Sequence, residues 1–226
     1  ALDEASVDDL ANRLGIGERH LRRLFLDHVG VSPKAVAQTR RVLFAKKLVN
    51  ETDLPLTEIA LAAGFGSIRR FNSTFQKLYG KPPRDLRRMN EKEPVKNGSS
   101  LNLKLTLRPP YDWKHLISFF QTRAIPGVED VAEGCYRRTI QIEQQSGLLE
   151  VRHNPDGPHL NVSVNLNNTS FLKVAIERIR RLFDIDADSE AINAHLSRDP
   201  VLAKSIKARP GLRLPGAWDP FEIAVR

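Results

Sequence analysis

Cysteine is nearly absent: the 226 residues hold one, Cys135. A single thiol excludes an intrachain disulfide and a four-cysteine zinc site. Long hydrophobic runs are missing too. No window approaches the roughly eighteen apolar residues that a membrane-spanning helix needs, so no membrane partner is expected. The opening "ALDEASVDDL" is acidic and has no charged-then-apolar leader. With the lone cysteine, that reads as a cytoplasmic protein. Asn-x-Ser/Thr triplets such as Asn97-Gly98-Ser99 are then chance occurrences.

Catalytic signatures are equally scarce. There is no G-x-S-x-G elbow, no Walker loop and no H-E-x-x-H. The six histidines are scattered, none at metal-ligand spacing with another. His153, beside Asn154-Pro155-Asp156-Gly157, reads as a residue at a hairpin turn. "DIDADSE" at 184–190 alternates acids as calcium loops do, but lacks their central Gly and closing Glu. It reads instead as a helix end, a turn and an N-cap. No metal, no cofactor and no small-molecule ligand is expected, and no residue is assigned a catalytic role.

What is present is a globular composition, 41% hydrophobic and 27% charged, with a formal charge of +8. The charge is unevenly spread. Residues 1–88 hold 16 Lys+Arg against 10 Asp+Glu, and the rest hold 19 against 17. A basic excess in the first third points to a polyanion partner there. The weakly apolar "MNEKEPVKNGSS" makes 89–100 a linker. Before it, apolar spacing is helical. After it, "LNLKLTL" (101–107) and "HLNVSVNL" (159–166) alternate with period two, as half-buried strands do. A helix over 171–183 is expected to bury Phe171, Val174, Ala175, Ile179 and Leu182, and two short helices are expected around Pro200. The fold class is multidomain: an all-α domain followed by an α+β domain.

The first 88 residues contain a repeat. Leu10/Ile59, Ala11/Ala60, Leu14/Ala63, Gly15/Gly64 and Ile16/Phe65 align at an offset of 49, and Leu21/Phe71, Phe25/Phe75, Gly30/Gly80 and Pro33/Pro83 at 50. One residue is added in the second turn, and the flanks otherwise agree. Ser6 is placed to cap the first helix, with Asp9 as the reciprocal acid. Leu10 and Leu14 are expected to point inward, Ala11 admits a close neighbour, and Gly15 suits a positive φ. The second helix is expected to bury Leu21, Leu24 and Phe25. This is a helix-turn-helix unit, whose second helix enters the DNA major groove.

On a helical wheel, Arg19 and Arg23 lie nearly opposite Leu21 and Phe25, flanked by Arg22 and, at the N-terminal end, by Glu18. In the second copy Phe71, Phe75 and Leu78 mark the core, and Arg69, Asn72, Ser73 and Gln76 face away. Arg pairs with guanine O6/N7, and Asn or Gln with adenine N6/N7, so these eight are base-reading candidates. Phosphate-contact candidates on the connecting segment are Lys34, Arg40, Arg41, Lys46 and Lys47. Those on and after the second recognition helix are Arg70, Lys77, Arg84, Arg87 and Arg88. A basic face opposite an apolar stripe is ordinarily just solvated. Two copies with the same turn and polarity are what raise the reading to a double-stranded DNA binder.

These residues resemble the AraC/XylS-type DNA-binding domain, two helix-turn-helix units joined by a long helix. The matching features are "HLRRLF" at 20–25, Gly30-Val31-Ser32-Pro33, and Arg40, Ala45 and Leu48 in the connector. In the second unit they are "EIALAAGF" at 58–65, "RFNSTFQKLYG" at 70–80, and Pro83 with Leu86 and Arg87. The family usually has a further helix before the first unit, so the chain is expected to be part of a longer one. The resemblance implies a transcription regulator whose two recognition helices enter successive major-groove segments about 34 Å apart. It leaves RNA polymerase as a candidate protein partner.

Residues 101–226 resemble the N-terminal part of the AlkA-type 3-methyladenine DNA glycosylase II. The resemblance rests on "LRPPYDWKHLISFFQTRAIPGVEDV" (107–131), "RIRRLFDIDAD" (178–188) and "RPGLRLPGAWDPFEIAVR" (209–226). It implies an antiparallel sheet with helices, like one repeat of the TATA-binding protein, over 101–208. It also implies that 209–226 opens a helix–hairpin–helix half. No residue here matches that half's hairpin or its catalytic aspartate. Tyr111 and Trp113 are expected to be packing residues, and Trp218 and Phe221 to pack against that following half. The combined expectation is a regulator linked to the alkylation-damage response. The alternative is a repair glycosylase that flips out alkylated purines, with the helix-turn-helix pair as its targeting module.

Overall fold

The structure, a computed structural model, describes residues 7–52, 54–88, 100–166 and 168–225. The Ser6 cap, linker residues 89–99 and the Arg88 side chain lie outside the described set. The chain divides into two compact units, one helical and one α+β.

The helical unit runs α1 (Val7–Arg13), α2 (Glu18–Val29), α3 (Pro33–Glu51), α4 (Leu56–Ala62), α5 (Ile68–Tyr79) and α6 (Pro83–Arg88). The repeat in the sequence is a repeat in space. Helix α4 begins 49 residues after α1, and α5 and α6 begin 50 after α2 and α3. Gly30 and Gly80 end α2 and α5 in left-handed conformations, at φ 76° and 67°, each donating its N–H four residues back. Leu10, Ala11, Leu21 and Ala37 form the first core, with Val7, Ile16, Phe25 and Val36 against it. Phe65, Phe71 and Phe75 build the second, with ring centroids 5.3 and 5.0 Å apart. The connector α3 buries Val42, Ala45, Leu48 and Val49.

Three apolar residues depart from the expected core. Leu14 is 56% exposed: it lies past the end of α1, just before the turn at Gly15. The second copy encloses the smaller Ala63 at that position. Leu78, next to the last residue of α5, is also exposed, and Leu24 is only half-buried.

The α+β unit runs β1 (Leu101–Thr106), α7 (Trp113–Thr122), β2 (Glu129–Ala132), β3 (Cys135–Ile142), β4 (Gln145–His153) and β5 (His159–Asn165). It continues through α8 (Leu172–Leu182), α9 (Ser189–Leu196), α10 (Pro200–Ala208) and α11 (Pro220–Val225). The five strands form one antiparallel sheet in the order β1-β5-β4-β3-β2. The two strands that alternation marked are neighbours, with Leu103 opposite Val162. One face carries Leu103, Leu105, Leu149, Val151, Leu160, Val162 and Val164, all buried. Phe120 of α7, Tyr136 of β3 and Phe183 after α8 meet with centroids 5.0 to 5.6 Å apart.

Helix α8 buries Leu172, Ala175, Ile176, Ile179 and Leu182. The expected Phe171 and Val174 are only half-buried: Phe171 ends a 3-10 turn over Thr169–Phe171, and the stripe that starts at Leu172 fits the helical period better. Asp188 caps α9 and Asp199 caps α10, whose first residue is Pro200. Trp218 is another correction. It is buried within this unit, its ring 5.1 Å from the Arg138 guanidinium and 5.2 Å from that of Arg178, while Phe221 is 74% exposed.

Candidate nucleic-acid interface

Each helix-turn-helix turn depends on a glycine with positive φ, Gly15 at 66° and Gly64 at 76°. A side chain there would be strained. At Gly64 a Cβ would also lie 3.5 Å from Nε of Arg41, which reaches across from α3. The two turns differ in how they start the recognition helix. Helix α2 follows Gly17 and has no side-chain cap, whereas Ser67 accepts a hydrogen bond of 3.3 Å from the Arg70 N–H at the start of α5. Ser67 was not among the expected site residues. The one-residue increase in offset was its signal, because the extra turn residue makes room for a capping serine.

On α2, Arg19, Arg22 and Arg23 are exposed and Glu18 is half-buried. Arg22 forms an ion pair with Glu18 one turn back. Nη2 of Arg23 lies 3.1 Å from Nδ1 of His20. On α5, Arg69, Asn72, Ser73 and Gln76 are exposed on one side, opposite the buried Phe71 and Phe75. The Ser73 hydroxyl donates to the Arg70 carbonyl at 3.1 Å, and Gln76 Nε2 donates to the Gly80 carbonyl at 2.9 Å. Both groups keep further acceptor capacity.

The phosphate candidates fall into two sets. Lys34, Arg40, Lys47, Arg70, Lys77 and Arg84 are exposed. Arg41, Lys46 and Arg87 are built into the unit. Arg41 is half-buried against the second turn, and Arg87 donates to the Leu54 carbonyl at 2.6 Å. The Lys46 ammonium sits 4.6 Å over the Tyr79 ring.

Two arginines of the α+β unit, Arg138 and Arg213, are engaged internally. Arg138 is buried, donating to both carboxylate oxygens of Glu222 and approaching Glu129 at 3.5 Å. Burial opposes its charge, yet the Glu222 hydrogen bond and the nearby Tyr136, Glu222 and Glu129 hold its pKa above the usual value. Arg213 donates to the carbonyls of Arg108, Pro110, Asp184 and Ala187, and burial pulls its pKa down. Tyr111 donates its hydroxyl to the Phe183 carbonyl, and burial drives its pKa far up. His153 ends β4 and stacks on Tyr111 and Trp113, with centroids 6.4 and 6.1 Å away. Tyr111 and Trp113 are thus packing residues.

The outer face of the sheet carries a cleft of about 470 Å³ lined in part by Arg137, Thr139, Leu148, Glu150 and Ser163. Its guanidinium is engaged: Arg137 lies 3.0 Å from Glu150 and 3.6 Å from Asp130. The hydrogen bond from Arg137 in turn lowers the Glu150 pKa. Among the described residues no cluster of three His, Cys, Asp or Glu could hold a metal ion. Nor is any described helix long and apolar enough to cross a membrane.

Fold and surface together define a class: a tandem helix-turn-helix domain followed by an antiparallel α+β domain. Residues 10–89 match a helix-turn-helix domain family. Residues 102–219 match the AlkA N-terminal domain, and with over half its length in that match the chain belongs to the AlkA N-terminal domain family. It is 35% identical over 228 residues to a probable bifunctional transcriptional activator/DNA repair enzyme AlkA of Mycobacterium tuberculosis, covering 100% of this chain and 46% of that protein. It is 34% identical over 127 residues to DNA-3-methyladenine glycosylase 2 of Escherichia coli, covering 54% of this chain and 41% of the other. The HTH-type transcriptional regulator ExsA of Pseudomonas aeruginosa is 31% identical over 96 residues, covering 42% and 34%. The chain therefore spans about half the length, or less, of these curated relatives.

Proposed function

We propose that the chain is the part of a bifunctional regulator that reads duplex DNA by sequence, with residues 1–88 as the reader. Residues 101–208 serve as a non-catalytic scaffold joined to it. The observation that carries this reading is the duplication in space: two helix-turn-helix units of matched length, each with its polar arc exposed opposite its apolar core. Arg19, Arg22 and Arg23 with Glu18, and Arg69, Asn72, Ser73 and Gln76, are the proposed base contacts. Lys34, Arg40, Arg70, Lys77 and Arg84 are the proposed phosphate contacts, with Arg88 beside them. Arg41 and Arg87 are proposed to position the second unit.

The relative named as a bifunctional transcriptional activator/DNA repair enzyme supports a reading in which this chain regulates genes of the alkylation-damage response, with RNA polymerase as its proposed protein partner and the cytoplasm as its proposed compartment. Glycosylase chemistry is the second reading, favoured by the match over 102–219. It needs residues this chain does not supply by any recognised motif.

The test is duplex binding as a function of salt. Several phosphate contacts release counterions, so log affinity is expected to fall linearly with log salt, with a slope of about −0.9 per phosphate neutralised. A flat profile, or no binding, would remove the DNA reader. Release of free base from methylated duplex by this chain would assign glycosylase chemistry to residues within it.

A further inference from the structure

The two recognition helices share one geometry, so their reading arcs compare position by position. At about 100° per residue, the arc opposite the core spans four positions in each helix. In α5 they are Arg69, Asn72, Ser73 and Gln76; fifty residues earlier, in α2, they are Arg19, Arg22, Arg23 and Leu26. The last position stands apart. Leu26 is 55% exposed where its counterpart Gln76 offers an amide. Exposed apolar residues are ordinary on a protein surface, and Val29, one turn further on, is exposed as well. Leu26 is flanked by arginines three and four residues back, Arg23 and Arg22, so it sits within a cationic arc.

In the major groove, one base feature is apolar: the C5-methyl of thymine. An arginine reads guanine O6/N7 on an adjoining base pair, while an alkyl side chain on the same helix face meets that methyl. Arg22 is tied back to Glu18, which leaves the end of the arc near Leu26 to shape rather than hydrogen bonding. We infer that Leu26 is a specificity-determining residue that packs on a thymine methyl. The first arm then reads a G/T-containing half-site by charge and apolar contact, and the second arm reads its half-site through Arg69 together with amide and hydroxyl groups. This inference rests on the DNA-reading function proposed above.

The experiment uses the 226-residue chain and the duplex it prefers from a random pool. Each thymine of the bound site is replaced by deoxyuridine, which removes the methyl and leaves every Watson–Crick group in place. At one or more thymines of the half-site assigned to α2, affinity is expected to fall about fourfold, the weight of one buried methyl-sized group. Leu26→Ala should bind the thymine and uracil duplexes equally, and Leu26→Gln should move the preference there toward adenine.

Indifference of the unmodified chain to uracil throughout the half-site overturns the inference. So does methyl sensitivity that survives in Leu26→Ala. In either case, with specific binding intact, Leu26 belongs to a surface for another protein and the DNA reader stands. If no duplex is preferred at all, the reader itself fails and the inference fails with it.

Discussion

In the helical unit Arg19, Arg23, Arg69 and Arg70 project into solvent, whereas in the α+β unit Arg138 and Arg213 are buried with carboxylates and carbonyls around them. The residue type is the same, and so is its net charge. What differs is the company its N–H donors keep. A guanidinium whose donors point outward can neutralise a phosphate or pair with guanine. One whose donors are already taken holds the fold together. The total charge of +8 therefore overstates what the α+β unit can offer a polyanion and understates the concentration of exposed guanidinium groups on α2 and α5.

The sharpest way to break that contrast is to remove the buried arginine. Arg138→Ala takes the cation away from the buried Glu129 and Glu222 carboxylates, a loss of about 3–5 kcal/mol in the stability of the α+β unit. Both tryptophans, Trp113 and Trp218, belong to this unit, so tryptophan fluorescence during urea unfolding reports on it alone. A midpoint that hardly moves would mean that the cluster around Arg138 is replaceable by water and that the contrast is one of degree.

The complementary change is made on the exposed side. Arg69→Ala or Asn72→Ala should leave the fold intact and cost about 1–3 kcal/mol of affinity for one base at one position of the preferred duplex. Binding to unrelated duplex should stay nearly constant, measured at a single salt concentration. Equal weakening on every sequence would reassign the side chain to phosphate contact. Stability loss comparable to that of Arg138→Ala would undo the distinction between the two units.

What could be read in the sequence follows the range of the forces involved. The glycine turns, the helix lengths of the repeat and the polar arcs are local features, set within one or two turns of helix. The offsets of 49 and 50 between aligned residues reappear as the spacing of the helices themselves. The same holds for Asp188 at the cap of α9 and for the alternation of β1 and β5. The errors came from contacts between distant residues. Arg138 and Glu222 are 84 positions apart, and nothing near either one announces the other. Trp218 was assigned to a surface that would be covered by later chain, because its partners Arg138 and Arg178 lie far back in sequence. Leu14 and Leu78 satisfied the helical period and still ended exposed, since periodicity gives a direction but not what lies there. Arg41 and Arg87 were named from charge alone, and their contacts with Gly64 and the Leu54 carbonyl are equally long-range.

The smallest expected effect tests whether His153 belongs to the packed interior of the α+β unit or to its surface chemistry. Burial against Tyr111 and Trp113 lowers its pKa below the ordinary histidine value of 6.5. The unfolded chain then binds this proton more readily than the folded one. Stability is therefore full above about pH 6.5 and declines as the pH falls from there toward the lower folded value. Glu150, whose pKa is lowered by Arg137, loses its own contribution only at more acid pH, below the usual carboxylate range, so the two windows separate. The urea midpoint should drop slightly between pH 7 and 5.5, and His153→Gln should flatten that slope while leaving the acid limb in place. An unchanged slope in the variant would place the titrating group elsewhere, and His153 would join the exposed residues rather than the packed ones.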